Sequence, residues 1–259
     1  MANKRWTTAV VAIFGIAVAS CGTNGTTQEE AELTEAQLDA CQALIDLGMW
    51  EPPEEDEPAE ADLVHFRSFF ERIQAGAEEE SPEVADAAAS TIAVVNEVIE
   101  TSNYELLDGP EIGAGMGQVG LLGRDVCGYD EIDLGAEDTP EDGEAPARYE
   151  FTGVPDTLEP GRYSIQLEND QENFHLVIVA KVPGDYEGTV DDFAQLEEEA
   201  AIETVEWYAA GAFAEPDETA YLTVDLSEPG RYFILCPVTS EDEEIPHHAL
   251  GMIEEVTVG

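Results

Sequence analysis

Apolar residues recur at helical spacing through the first half of the chain and alternate with polar ones through the second. Leu38, Cys41, Leu44 and Ile45 share one face of a helix predicted over 34–50, opened by the capping-box pair Thr34 and Gln37. An acidic, Pro-rich run, 51–61, separates it from a second predicted helix, 62–75. Leu63, Phe66, Phe69, Phe70 and Ile73 lie along that helix at the right spacing, with Asp62 as N-cap. Ser81-Pro82 reads as a cap followed by a first-turn proline, and starts a third helix through Val84, Ala88, Ile92, Val95 and Ile99. Residues 34–134 are therefore expected to form a small helical bundle. Gly115, Gly117 and Gly120 have the spacing GxGxxG, but a dinucleotide site needs a strand before that motif, and helical patterns precede it here. The stretch is read as an irregular loop or loose helix. His65, with no metal-binding partner one turn on, reads as a surface or packing residue.

Residues 135–147, GAEDTPEDGEAPA, read as an acidic linker, after which the period changes. YEFTGV, GRYSIQLEN, HLVIVAKV, AYLTVDL, GRYFIL and IEEVTV are short alternating or β-branched runs. The sequence Glu159-Pro-Gly-Arg-Tyr163 recurs as Glu228-Pro-Gly-Arg-Tyr232, two Pro-Gly turns that each launch a strand and suggest the two sheets of a sandwich. Residues 191–211 look like an inserted helix or pair of helices. The expected class is α+β, with a helical bundle followed by an all-β sandwich over 148–259.

Charge narrows the function. Nine Lys plus Arg against 59 Asp plus Glu leave a net charge of −50. Such a surface does not bind nucleic acid or anionic lipid through bulk electrostatics, and suits solubility in a salty habitat. The N-terminus reads as a targeting segment: Lys4 and Arg5, then an apolar stretch from Trp6 to Ala19 that is short for a membrane span. It ends in Val18-Ala19-Ser20-Cys21, which resembles the bacterial lipobox. On that resemblance residues 1–20 are a lipoprotein signal peptide, Cys21 carries the lipid, and 21–33 is a flexible tether. An ordinary secretory signal is the alternative. Export implies an oxidising compartment. Of the three pairings open to four cysteines, we expect Cys41 with Cys127, which leaves Cys236 single.

The late stretch CPVTSEDEEIPHHALGM, 236–252, places a thiol, two imidazoles and a thioether between two strand-like runs. Cys, His and Met are the ligands copper prefers, and one Cys, two His and a distant axial Met make the blue-copper set. His175, opening the run HLVIVA, is the further imidazole. With these residues in that order, 149–259 resembles a cupredoxin of the plastocyanin and azurin type. The resemblance implies a Greek-key sandwich, a copper ion held by His175, Cys236, His247 and Met252, and one-electron transfer without enzymatic turnover. Pro246-His247 and Gly251-Met252 align together with the plastocyanin form, which selects His247; His248 fits the azurin spacing instead. The chain is also similar to a group of acidic actinobacterial lipoproteins, through its lipobox, the element Cys127-Gly128-Tyr129 and the cupredoxin-like end. The implied partners are a membrane, through the lipid, and a redox protein. Ten residues separate Cys236 from His247, where electron carriers have two to four, and Glu241, Asp242, Glu243 and Glu244 are among them. The competing reading is a metal-free cupredoxin fold that serves as a binding module of the cell envelope. A Cys236–His nucleophile pair lacks any sign of an oxyanion site. A two-cysteine copper centre lacks its second thiol on the loop, and no spaced calcium loop is present.

Overall fold

Thr34 begins the first helix as its sequence predicts. Its hydroxyl accepts from the Gln37 amide at 3.2 Å, while Gln37 Oε1 accepts from the Thr34 amide at 2.8 Å, closing the capping box of α1 (Glu35–Gly48). This computed structural model describes residues 32–50, 58–78, 80–139, 148–239 and 245–259. The expected signal peptide, Cys21, most of the tether and the acidic residues Glu241 to Glu244 lie outside the described residues. Among the described residues no helix is long and apolar enough to cross a membrane.

α2 (Glu60–Ala77) starts two residues earlier than expected, because Asp62 works from the third helical position, accepting from the Ala59 amide at 3.2 Å. α3 (Pro82–Thr101) follows, and the glycine stretch forms α4 (Pro110–Val119) and α5 (Leu121–Asp125). The glycines mark close approaches. A Cβ on Gly117 would stand 2.9 Å from the Phe213 carbonyl oxygen, and one on Gly120 would stand 2.5 Å from that of Tyr221. His65 is exposed and sets its ring against Phe69, with centroids 4.7 Å apart. The helices bury their own core, from Leu44 through Phe70 and Ile73 to Val95 and Leu122.

The sandwich starts before the expected linker ends. β1 (Asp130–Thr139) overlaps 135–147, so 135–139, expected as linker, is strand; residues 140–147 lie outside the described residues. Its inward positions Ile132, Leu134 and Ala136 are buried between exposed acids. It pairs in parallel with β4 (Gly161–Asn169), with Ile132 opposite Ile165 and Leu134 opposite Leu167. With β2 (Arg148–Thr152) and β7 (Glu218–Leu226) these form one sheet, in the order β2-β1-β4-β7. The second sheet runs β3-β9-β8-β5-β6, from β3 (Thr157–Leu158), β9 (Ile253–Val258), β8 (Gly230–Leu235), β5 (His175–Val182) and β6 (Trp207–Ala214). The predicted helical run 191–211 is corrected in the same way. Short helices α6 (Val190–Ala194) and α7 (Glu198–Thr204) are present, but 207–211 is strand. Ala209, Ala212 and Ala214 are buried in the inter-sheet core, so packing overrides the helical preference of alanine there.

The repeated motif has one job in both sheets. Tyr163 donates to the Glu159 carbonyl and Tyr232 to the Glu228 carbonyl, each at 2.7 Å, fixing the entries of β4 and β8. α1, α4 and α5 pack on the β6 and β7 edges of the sandwich. Gln118 Nε2 donates to the Thr219 carbonyl at 3.0 Å, and Arg162 reaches both Gln42 at 3.2 Å and Asp225 at 2.9 Å. The helical layer thereby covers strand edges that would otherwise be open to pairing. The bridge Cys41–Cys127 joins α1 to the chain that leads into β1, as the cysteine division predicts.

Candidate metal centre

Three separate elements deliver the site. Asn169, fully buried at the end of β4, organises the turn before His175. Its Nδ2 donates to the carbonyls of Asn173 (2.8 Å) and Ala214 (3.0 Å), and its Oδ1 accepts from the Gln171 amide at 3.1 Å. His175 then opens β5 with its ring fully buried. Cys236 follows directly on β8, where its amide donates to the Met252 carbonyl at 3.1 Å. His247 starts a 3₁₀ turn, His247–Leu250, capped by Gly251 at φ +115, a conformation that favours glycine.

The long Cys-to-His spacing is braced at its neck. Thr239 and Pro246 form an antiparallel bridge, the His247 amide donates to the Val238 carbonyl at 2.7 Å, and the His248 amide donates to the Cys236 carbonyl at 2.8 Å. The Met252 amide donates to the His247 carbonyl at 2.9 Å. These contacts close the base of the loop, so the ligand-bearing ends keep the relation a short loop would give them.

The donors converge. The Cys236 sulfur lies 3.9 Å from His175 Nδ1 and 3.7 Å from His247 Nδ1, and the two Nδ1 atoms are 3.2 Å apart. All three residues are fully buried. Met252 is also fully buried, in the same inter-sheet core as Cys236. His248 is not part of the group: its Nδ1 is 3.3 Å from the carbonyl oxygen of Cys236, away from the sulfur.

Two neighbours escaped the sequence reading. The Tyr149 ring stacks on His247, with centroids 3.9 Å apart and planes 14° from parallel, closing that side of the group. Asp138 Oδ1 lies 3.1 Å from His175 Nε2, and among the described residues neither atom has another hydrogen-bond partner. Asp138 was hidden because its segment read as linker. Its signal was the alternation of Ile132, Leu134 and Ala136 with acids.

Burial sets the protonation. It pushes the Cys236 thiol up to about 11, against backbone hydrogen bonds from Leu176 and Val238 that act the other way. Burial, joined by the positive charge that His175 can carry, brings His247 down to about 4. Burial also opposes ionisation of Asp138, but His175 and Asn173 outweigh it and hold the carboxyl below its ordinary value. At neutral pH the group thus presents a neutral His247 imidazole and a thiol whose proton a cation has to displace. A thiol and two imidazole nitrogens aimed at one buried point fit a soft or borderline metal ion, with Asp138 supplying the outer carboxylate common behind metal-binding histidines.

No protein-family profile matches the chain, and no curated protein matches it. Solved structures do show a likeness over half of its length. One is auracyanin A, a "blue" copper protein from the green thermophilic photosynthetic bacterium Chloroflexus aurantiacus (19% identity, 50% of this chain and 98% of that one, TM-score 0.31). Another is the dithionite-reduced auracyanin of Roseiflexus castenholzii (20% identity, 50% and 96%, TM-score 0.29). A third is a multicopper oxidase (14% identity, 50% and 44%, TM-score 0.31), of which this chain therefore spans less than half.

Proposed function

We propose that this chain binds one copper ion through His175, Cys236 and His247, with Met252 as weak axial donor, and serves as a one-electron carrier. The observation that supports this most directly is the convergence of Cys236 Sγ and two Nδ1 atoms, the imidazole pair only 3.2 Å apart, inside a fully buried pocket. Bound there, copper would supply a one-electron change. The chain's own part is to give two imidazoles and a thiolate, to exclude water, and to hold the donor spacing through the braced neck and the Asn169 turn. The partner is a redox protein, and the role is non-enzymatic. The competing reading, a metal-free interaction module, leaves unexplained why two fully buried imidazoles face a buried thiol.

Titration of the purified protein with Cu(II) is expected to develop intense visible absorption that saturates at one equivalent. A colourless protein that takes up less than one equivalent would favour the interaction module.

The location belongs to the same proposal: an extracytoplasmic protein tethered to the cell membrane by a lipid on Cys21. The lipobox-like Val18-Ala19-Ser20-Cys21 and the bridge Cys41–Cys127 support it, since such bonds persist in oxidising compartments. Mass spectrometry of the membrane fraction is expected to find a mature N-terminus at Cys21 carrying a diacylglyceryl thioether; an unmodified Cys21 would refute the anchor.

A further inference from the structure

Asp138, on β1, is tied to the turn that delivers His175. Its carboxylate is 12% exposed. Oδ2 accepts from Asn173 Nδ2 at 2.9 Å, and the Asp138 amide donates to Gln171 Oε1 at 3.4 Å, so both residues come from the turn that Asn169 organises. Oδ1 faces His175 Nε2 at 3.1 Å, and among the described residues each of these atoms lacks any other hydrogen-bond partner. The opposite ring nitrogen, Nδ1, faces Cys236 and His247. An imidazole that offers a lone pair at Nδ1 has to keep its proton on Nε2, and an unpaired buried polar atom is costly, so proton and carboxylate belong together.

We propose that Asp138 is a positioning residue: it holds His175 in the Nε2–H form with Nδ1 turned to the donor group, and as a buried anion one ring away it favours Cu(II) over Cu(I). The second half of this rests on the copper reading above. A neutral partner such as a backbone carbonyl could fix the same tautomer, but it would add no negative charge behind the ring.

Asp138→Asn keeps the size and one acceptor oxygen for His175 Nε2–H while removing the charge; its amide nitrogen then faces Asn173, whose side-chain amide turns to accept from it. In the full chain loaded with copper, it is expected to lower the ratio of Cu(II) to Cu(I) binding constants about tenfold. For a one-electron couple that is a rise in potential of about 59 mV, with the visible absorption retained. An unchanged potential in copper-loaded D138N overturns the electrostatic role, and a residue that only supported the fold would lower the melting temperature without moving the potential. Nitrogen-15 shifts of the copper-free protein test the tautomer separately: His175 is expected as Nε2–H in the wild type and as a mixture in Asp138→Ala. Nδ1–H in the wild type ends the proposal. Should the wild type bind no copper, the copper reading fails, and the tautomer measurement alone decides whether Asp138 positions His175.

Discussion

Replacing Cys236 with Ser is expected to erase the visible colour of the Cu(II)-loaded protein and to weaken Cu(II) binding by more than about 100-fold, since changes to outer residues alone cost about 10–100-fold. The sulfur is the one donor of the three that can bring a negative charge, and it sits 3.7–3.9 Å from both imidazole nitrogens. A serine hydroxyl occupies nearly the same volume but does not ionise at neutral pH, so the cation would meet two neutral rings and no anion. The fold itself should tolerate the change. Cys236 is buried without a disulfide, and a hydroxyl beside two imidazoles can find a hydrogen bond, which limits the cost in the metal-free protein to about 1 kcal/mol. Absorbance and chelator competition measure the first effect, and urea unfolding measures the second. Retention of the colour in Cys236→Ser would remove the thiol from the centre.

The second large effect concerns stability. Removal of the Cys41–Cys127 bridge, by reductant or by Ala at both positions, is expected to lower the unfolding free energy by roughly 4–5 kcal/mol. The reason is chain entropy: the bridge spans 86 positions, which include the second to fifth helices. It also joins the first helix to the approach of β1, so its loss loosens the attachment of the helical layer to the sandwich. Urea unfolding with and without reductant gives the value. A change below about 1 kcal/mol would mean that the unbridged unfolded chain is already as confined as the bridged one.

The sequence carried the donors well and the strands beside them less well. Cys236, His247 and His175 could be named because few residue types ligate copper and their order along the chain was informative. Of the two adjacent histidines, the ring of His247 lies beside Cys236 and His175, while His248 sits against a carbonyl. Tyr163 and Tyr232 were legible as strand entries because a Pro-Gly turn is a local signal. β1 was not, because Asp, Glu and Gly dominate it, and its burial depends on a parallel neighbour more than thirty positions later. Asp138 was lost with it. β6 was misread because Ala209, Ala210, Ala212 and Ala214 favour a helix when isolated, while a helix packed outside and a core inside demand small residues on a strand. The glycines of 115–120 mimicked a cofactor motif for a related reason: close backbone approach needs glycine whether the neighbour is a phosphate or a strand.

The crosslink of backbone between Thr239 and Pro246 separates two things that loop length normally ties together. Where a ligand loop is open, each added residue slackens the grip on the ion, so length is held fixed by the chemistry. Here the clasp sets the distance between the ligand-bearing ends, which relieves the acidic stretch between them of that task. Its sequence is free to answer to other demands, such as hydration in brine or the choice of a docking partner, while the donors behind it stay in place.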